Sequence, residues 1–187
     1  MQAVILAAGR GNRLRPITDK IPKVLVEVNG IPFLTNDLEA LAKHKEIEEA
    51  IIVVGYKKEL IIERIGNYYK NIRIKYVENK DWESTNNIYS LWLAKPLLED
   101  DFILMEGDIF FEHSILDYIF ENRDKNIAFL SKYHSGMSGT IVEIDEKGKK
   151  MMSGTVVEMD VECSKIRRLI PSSMQGLNFD YSDKFKT

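Results

Sequence analysis

Short, uninterrupted apolar runs that alternate with helix-like segments constrain this 187-residue chain more than any other feature. The first run, Val4–Ala8, ends at Gly9, and a second run at residues 50–54 ends at Gly55. Runs of this kind are typical of strands that are buried on both faces of a parallel sheet. The chain therefore has the apolar patterning of a layered α/β protein.

The segments between and after these runs continue the alternation up to about residue 131. We predict an extended stretch at 23–28, helices at about 34–45, 57–69, 88–96 and 114–122 (with Ser114 as N-cap), and strands at 72–76, 102–105 and 127–130. This order of strands and helices favours a parallel, doubly wound α/β sheet. Such sheets bind ligands at the carboxyl ends of their strands, near the point where the strand order reverses.

The pattern becomes β-rich after about residue 131. Residues 137–145 recur at 152–160 with seven of nine positions identical. We interpret the two copies as similar strands of a β-meander that residues 146–149 join. Residues 176–187 are polar and aromatic and close no core, so we expect the chain to be incomplete at its C-terminus.

Charge and composition exclude several classes of protein. The net charge of −3 and the lack of a basic stripe argue against a nucleic-acid partner. A single cysteine, Cys163, excludes an intramolecular disulfide and a cysteine-based zinc site. No apolar run reaches the roughly 18 residues of a membrane span, and the N-terminus does not resemble a signal peptide. We therefore expect a cytoplasmic protein with no membrane partner.

The segment from Leu6 to Pro16 is the strongest chemical motif of the chain. Gly9 and Gly11 permit close approach of the backbone to a ligand, and successive N–H groups in such a turn bind anions. Arginines within the segment add charge-assisted bonds to phosphate oxygens. The segment matches neither a P-loop nor the dinucleotide fingerprint. Lys23, held by the preceding Pro22, can reach back to the same phosphates.

These motifs, together with residues 28–32, resemble the signature of the sugar-phosphate nucleotidyltransferase superfamily. The resemblance covers at least residues 1–131. It implies an α/β, Rossmann-like, doubly wound mixed sheet with a β-rich C-terminal portion. It also implies transfer of a nucleoside monophosphate from a nucleoside triphosphate to a phosphorylated substrate, with Mg²⁺ as cofactor and pyrophosphate as the second product.

The resemblance also implies a set of site residues. Lys23 and Arg13 would neutralise the triphosphate and the departing pyrophosphate, and Asp108 would bind the metal ion. Asp108 follows an apolar strand, where a carboxylate is a reasonable Mg²⁺ ligand, although a turn aspartate after Gly107 is the structural alternative. The nucleotide would lie along the chain at Leu6, Ala7, Ala8, Gly9 and Gly11.

The segment 78–92 indicates the branch of the superfamily. It lacks the Gly-Thr-Ala of the sugar enzymes, and its Asn86-Asn87 pair followed by Tyr89-Ser90 is similar to cytidylyltransferases that act on phosphocholine and aminoalkylphosphonates. Asn86, Asn87 and Ser90 offer amide and hydroxyl partners for a pyrimidine edge. The alternative is that one of these residues only caps the following helix.

The acceptor of that branch carries an amine or quaternary ammonium group. Aromatic faces and carboxylates bind such cations, and the candidates here are Asp81, Trp82, Glu83, Tyr89 and Tyr133, with ordinary packing as the alternative role. Lys186 is a candidate ligand of the substrate phosphate.

We therefore predict a Mg²⁺-dependent cytidylyltransferase that uses CTP and a phosphocholine-, phosphoethanolamine- or 2-aminoethylphosphonate-type acceptor. The alternatives are a sugar-1-phosphate nucleotidyltransferase that uses UTP, dTTP or GTP, and a non-catalytic nucleotide-binding domain. The domain would span 1–187, with a nucleotide-binding core at 1–131 and an acceptor-side portion at 132–187. A homodimer and a longer, bifunctional chain are the candidate assemblies.

Overall fold

The computed structural model describes residues 1–122 and four later strands, at 142–144, 150–152, 156–159 and 166–170. The chain divides into two compact units, Met1–Arg123 and Asp124–Thr187. The strand predicted at 127–130 lies outside the described residues. In the described parts of the chain, no helix is both long and apolar enough to span a bilayer.

The first unit is built from seven strands and four helices. In chain order they are β1 (Gln2–Ala7), β2 (Glu27–Val28), β3 (Ile31–Pro32), α1 (Phe33–Leu41), β4 (Glu49–Val54), α2 (Lys58–Ile65), β5 (Tyr68–Tyr69), β6 (Ile72–Glu78), α3 (Asn87–Ala94), β7 (Phe102–Glu106) and α4 (Ser114–Glu121). Strands β2 and β3 form a small antiparallel ribbon. The remaining five strands form one sheet, which confirms the mixed α/β fold predicted from the sequence.

The order of the strands across this sheet is β5-β6-β4-β1-β7. Strands β6, β4, β1 and β7 are parallel, and β5 pairs antiparallel with β6. The chain builds outward from β1 through β4 to β6, then returns to place β7 on the other side of β1. The strand order thus reverses between β1 and β7, and α/β sheets bind ligands at that crevice.

The core lies against the two central strands. Every residue of β1 and of β4 is buried, as expected for parallel strands with both faces covered. On α1, Leu34, Leu38 and Leu41 are fully buried and pack toward the sheet. Strand β6, which lies between β4 and the two-residue edge strand β5, instead alternates, with Ile72 and Ile74 buried and the residue between them exposed.

Three local predictions are wrong. The helix expected at 57–69 ends at Ile65, because Gly66 adopts a left-handed φ of 73° there and the chain then enters β5. Residues Lys23–Leu25 form a 3-10 turn rather than an extended stretch. Ser114 is the first residue of α4, and the N-cap is His113.

The described strands of the second unit form two antiparallel pairs. Strand β8 (Val142–Ile144) pairs with β9 (Lys150–Met152), and β10 (Val156–Met159) pairs with β11 (Ile166–Ile170). Both copies of the repeated sequence therefore contain a strand, as predicted. Among the described strands, β8 pairs with β9, which ends at the first residue of the second copy, and β10 pairs with β11, so β8 and β10 are not partners of each other.

Candidate active site

The crevice between β1 and β7 brings two distant parts of the chain together. The amide N–H of Gly107 donates to the Leu6 carbonyl at 3.0 Å, which ties the end of β7 to the end of β1. A side chain at position 107 would meet the Leu6 carbonyl oxygen at 2.9 Å and Val24 at 3.0 Å. Glycine is therefore required there for Asp108 to lie beside the loop that follows β1.

Gly11 likewise leaves room for the side chain of Lys23. Its φ of 75° is left-handed, and a Cβ at this position would lie 2.7 Å from the Lys23 Cβ. The aliphatic stem of Lys23 consequently packs against the loop, and Pro22 (φ −65°) sets the start of its 3-10 turn. The Lys23 ammonium reaches across the crevice and donates to the Asp108 carboxylate. The structure thus brings together the predicted phosphate-binding lysine and the predicted metal-binding aspartate.

A second carboxylate borders this pair. Asn87, at the start of α3, donates to Glu106 Oε2 at 2.6 Å. Desolvation raises the pKa of Glu106, the Asn87 bond opposes that shift, and the charge of Asp108 raises the pKa further. The end of β7 therefore carries two acidic side chains whose charges interact.

The acidic side chains suit a Mg²⁺ ion that is bound partly by the protein and partly by substrate phosphates, rather than one bound by protein ligands alone. Within the part of the chain that the structure describes, no group of three or more His, Cys, Asp or Glu side chains converges. Mg²⁺ is typically bound by one or two carboxylates together with substrate phosphates. Asp108, about one third exposed at the mouth of the crevice, suits that role.

A buried acid lies near the same crevice on α1. Asp37 is fully buried, and neither of its carboxylate oxygens has a hydrogen-bond partner in the described residues. Burial, with a smaller contribution from the charge of Asp108, raises the pKa of Asp37 to about 8. The neighbouring Asn36 contacts the segment after β7, where its side-chain oxygen accepts from His113 Nε2 at 3.1 Å and its side-chain N–H donates to the Phe111 carbonyl at 3.4 Å.

The loop after β1 is anchored by a second set of contacts. The buried Thr18 donates its hydroxyl proton to the Gly11 carbonyl at 3.0 Å. Asp19 Oδ1 accepts from Arg10 at 2.9 Å and from Arg15 at 2.8 Å. Arg13 lies exposed on the 3-10 turn Asn12–Leu14, directly after the left-handed glycine.

The segment between β6 and α3 is organised by one buried amide. The backbone N–H of Asn79 donates to the Val54 carbonyl at 2.8 Å. Its side chain donates to Thr85 at 2.9 Å and to the Ser90 hydroxyl at 3.1 Å, and accepts from the Asp81 N–H at 3.0 Å. Ser90 is buried in this network, and its hydroxyl accepts the hydrogen bond that links α3 to the loop.

The predicted asparagines lie at the start of α3. Asn86 is the N-cap, and its side-chain oxygen accepts from the Tyr89 N–H at 3.2 Å. The capping role that the sequence left open is thus confirmed for Asn86. Asn87 is exposed and turns toward β7 through its bond to Glu106. Base recognition by either residue stays a prediction.

Of the predicted acceptor-binding residues, the structure describes Asp81, Trp82, Glu83 and Tyr89, and their role in binding an acceptor stays a prediction. Trp82 packs on the Tyr56 ring, with centroids 5.2 Å apart, and lies against Gly55, where a Cβ would clash. Glu83 is near enough to Arg10 to raise the pKa of that guanidinium, a minor contribution beside the Asp19 hydrogen bond. Both lie on the β4–β6 side, whereas Asp108 follows β7. Tyr133 and Lys186 lie outside the described residues.

Sequence reasoning missed several residues of this region. Glu106 stands two positions before Asp108, and Asn79 directly follows β6, so position at a strand end was an available signal for both. Asp19 is the only acid between positions 9 and 20, among four basic residues. No sequence signal marks Asp37, because a polar residue on a helix is ordinarily exposed.

A family model described as nucleotidyl transferase matches residues 2–151. The chain belongs to this family. A CMP-5'-(3-aminopropyl)phosphonate synthase of Streptomyces rubellomurinus is 36% identical over 148 residues, which is 79% of this chain and 23% of the relative. A UTP–glucose-1-phosphate uridylyltransferase, AglF, of Haloferax volcanii is 39% identical over 132 residues, or 70% of this chain and 53% of the relative.

Two further relatives have cytidylyl or CTP in their names. A choline-phosphate cytidylyltransferase of Streptococcus pneumoniae is 38% identical over 136 residues, covering 72% of this chain and 53% of that protein. The solved inositol-1-phosphate CTP transferase of T. maritima is 33% identical, with a TM-score of 0.51 over 62% of this chain and 46% of that one. The chain thus spans between about a quarter and about half of the length of these relatives.

Proposed function

We propose that this nucleotidyltransferase-family chain carries the nucleotide site of a Mg²⁺-dependent cytidylyltransferase. The reaction would transfer CMP from CTP to a phosphate or phosphonate that carries an amine or quaternary ammonium group, and would release pyrophosphate. The observation that carries the proposal is the Lys23–Asp108 pair beside the Gly11 loop, at the point where the strand order reverses.

The chemistry is an in-line displacement. An oxygen of the acceptor forms a bond to the α-phosphorus of CTP, and the bond from that phosphorus to the pyrophosphate oxygen breaks. The attacking oxygen is already anionic, so the protein need not supply a general base. Catalysis then depends on positioning and on stabilising charge.

The residues of the crevice have separate roles in this reaction. Lys23 exchanges the Asp108 carboxylate for phosphate oxygens and, with Arg13, stabilises the charge that collects on pyrophosphate. Asp108 would hold Mg²⁺, which supplies Lewis-acid stabilisation of the phosphate oxygens when bound. The backbone N–H groups of the loop at Gly9–Gly11 contact the same phosphates.

We propose CTP, rather than another nucleoside triphosphate, as the substrate on two grounds. Three of the relatives described above have CMP, cytidylyl or CTP in their names. The Asn86-Asn87 pair at the start of α3 offers amides to a pyrimidine edge. Two of these names contain an acceptor with an amine or quaternary ammonium group, an aminopropylphosphonate and choline phosphate, and the third contains inositol 1-phosphate. An amine-bearing phosphate or phosphonate is therefore the acceptor that we propose first.

A uridylyltransferase that acts on a sugar 1-phosphate is the second candidate. The 39% identity to the glucose-1-phosphate enzyme favours it. The missing Gly-Thr-Ala segment between β6 and α3 counts against it. A nucleotide-binding domain without turnover is a third candidate, which predicts CTP binding with no pyrophosphate release.

A pyrophosphate-release assay tests the proposal. The chain is supplied with Mg²⁺ and CTP, UTP, dTTP or GTP, and with phosphocholine, phosphoethanolamine, 2-aminoethylphosphonate, inositol 1-phosphate or glucose 1-phosphate. Release with CTP and one amine-bearing acceptor is the expected result, and it should stop when Mg²⁺ is chelated. Release only with UTP and glucose 1-phosphate would establish the second candidate instead. CTP binding without any release would leave the third.

A further inference from the structure

The loop after β1 concentrates positive charge around a single acid. Between positions 9 and 20 there are four basic residues, Arg10, Arg13, Arg15 and Lys20, and the only acid is Asp19. Like charges held this close repel one another and broaden the range of positions that their long side chains sample. A single carboxylate among them can therefore decide where the cations lie.

Asp19 gathers two of these cations on one oxygen. Its Oδ1 accepts from Arg10 Nη2 at 2.9 Å and from Arg15 Nε at 2.8 Å. The hydrogen bond from Arg10 lowers the pKa of Asp19, and the bond from Arg15 adds to that shift, so the carboxylate is ionised at neutral pH. Hydrogen bonds between ionised partners are short and directional.

The end of β4 completes the hold on Arg10. The Arg10 guanidinium lies 5.3 Å from the centroid of the Tyr56 ring. The Tyr56 N–H donates to the Ala8 carbonyl at 2.9 Å, so the backbone that carries this ring is anchored at the end of β1, where the loop begins. Arg10 is thus held between a carboxylate and an aromatic face, in a position between the two glycines of the anion-binding turn.

Three backbone contacts anchor the Asp19 segment independently of its carboxylate. The Tyr56 hydroxyl donates to the Thr18 carbonyl at 2.9 Å. Lys57 donates to the Asp19 carbonyl at 2.8 Å and to the Lys20 carbonyl at 2.9 Å. Because these bonds use main-chain oxygens, a substitution that changes only the Asp19 carboxylate leaves the course of the segment in place.

We propose that Asp19 is a positioning residue that holds Arg10 at the anion-binding turn, where Arg10 serves as a further triphosphate-binding side chain beside Arg13 and Lys23. The inference rests on the proposed function, because it assigns Arg10 to the triphosphate of that reaction. The Tyr56 ring and the Arg15 bond fix the same arrangement from the other sides.

Charge alone predicts the opposite effect of removing Asp19. Asp19→Asn makes the loop more positive by one unit, which would strengthen the attraction of a polyanion if Asp19 merely offset charge. Under the positioning role, the same substitution frees Arg10 and weakens triphosphate binding despite the added positive charge. The sign of the change in affinity therefore separates the two roles.

The experiment measures the binding of CTP with Mg²⁺ and of inorganic pyrophosphate with Mg²⁺ to the full chain by calorimetry. Asp19→Asn is expected to weaken both by about tenfold, the scale of one charge-assisted hydrogen bond. Asp19→Glu keeps the charge and is expected to recover part of the loss. Asp100→Asn is the matched control, because it also removes a carboxylate from an ion pair, 3.0 Å from the N-terminal amine, and its binding should equal that of the wild type.

A double-mutant cycle tests whether Asp19 acts through Arg10. Arg10→Gln is expected to weaken binding by a similar factor, and the double variant should lose no more than the larger single effect. In turnover, the Asp19→Asn loss should appear in the KM for CTP and leave kcat nearly unchanged. A thermal melt of each variant identifies any that fails to fold, and Arg10→Gln then carries the test alone.

Each outcome decides between the two proposals. If the wild-type chain binds neither probe, the proposed function fails and the inference fails with it. If the wild type binds and Asp19→Asn binds equally or more tightly, only the inference is overturned. Additive losses in the double variant would likewise contradict a role for Asp19 that acts through Arg10.

Discussion

At the scale of single residues, Lys23 is the cation on which the proposed chemistry most depends. Its stem lies against Gly11, and its ammonium pairs with a carboxylate that would bind the metal ion. Lys23 thus contacts both the phosphate-binding turn and Asp108, which follows β7. Pro22 and the 3-10 turn that follows limit where else the ammonium can go.

Replacing Lys23 with alanine should therefore reduce turnover far more than stability. We expect kcat for pyrophosphate release to fall by at least about a hundredfold, the scale seen when one transition-state donor is removed. The melting temperature should change little, because a partly exposed ion pair contributes about 1 kcal/mol or less. Lys58→Ala is the control, since it breaks the Lys58–Glu78 pair of 2.7 Å outside the crevice. A Lys23→Ala protein that melts early yet turns over normally would contradict the assignment.

The buried Asp37 predicts a pH dependence of stability. Its pKa rises from an ordinary value near 3.8 to about 8 in the folded chain, so between these values the folded state holds a proton that the unfolded state has released. The free energy of unfolding therefore decreases as pH rises through this window, by up to about 1.4 kcal/mol per pH unit. Above about pH 8 both states are ionised and the contribution levels off.

Asp37→Asn removes this titration and keeps the shape of the side chain. We expect the variant to gain stability relative to wild type as pH rises from 5 to 8. Urea unfolding at pH 5, 6, 7 and 8 measures the difference. A difference that stays constant over this range would mean that Asp37 is ionised throughout in the folded protein.

At the scale of elements, apolar runs predicted strands well and helix ends poorly. The runs at β1 and β4 are buried on both faces, so burial alone specifies them. The helix predicted after Ile65 is wrong because Tyr68 and Tyr69 continue the apolar spacing of a helix, although the helix itself has ended before Gly66. These tyrosines pair with β6 instead, and a contact across a tight turn is invisible to periodicity.

The segment before α3 shows a different limit of sequence reasoning. The Asn86 cap depends on a neighbour three residues away, so capping preference could indicate it. The role of Asn79 depends on partners in β4, in the loop and in α3 at once. A residue whose function comes from three elements meeting cannot be found from its local pattern.

At the scale of the whole molecule, strand order decides where the site lies. The alternation of strands and helices predicts a parallel sheet but not which strand follows which across it. Placement of β7 beside β1 brings Asp108 to Lys23 across 85 residues of sequence. The resemblance to a known superfamily pointed to both residues, and the structure supplies the physical reason that they meet.

Because the chain divides at Arg123, we expect the first unit to bind nucleotide by itself. Every described residue assigned to CTP lies in Met1–Arg123, whose sheet and helices enclose their own apolar core. A fragment of residues 1–123 should therefore unfold cooperatively. CTP with Mg²⁺ at 100 times its Kd should stabilise it by about 2.7 kcal/mol.

Thermal melts of the fragment and of the full chain, with and without CTP and Mg²⁺, make the comparison. Because ligand binding stabilises only the state that binds, equal shifts in the two proteins would place the nucleotide site wholly within the first unit. The Lys23→Ala form of the fragment should show a smaller shift than the Lys58→Ala form, which loses the same charge outside the crevice, and this difference would assign the binding to the crevice rather than to general anion attraction. A shift in the full chain alone would mean that residues after 123 complete the site, and the assignment of CTP to β1, β7 and their loops would then be insufficient.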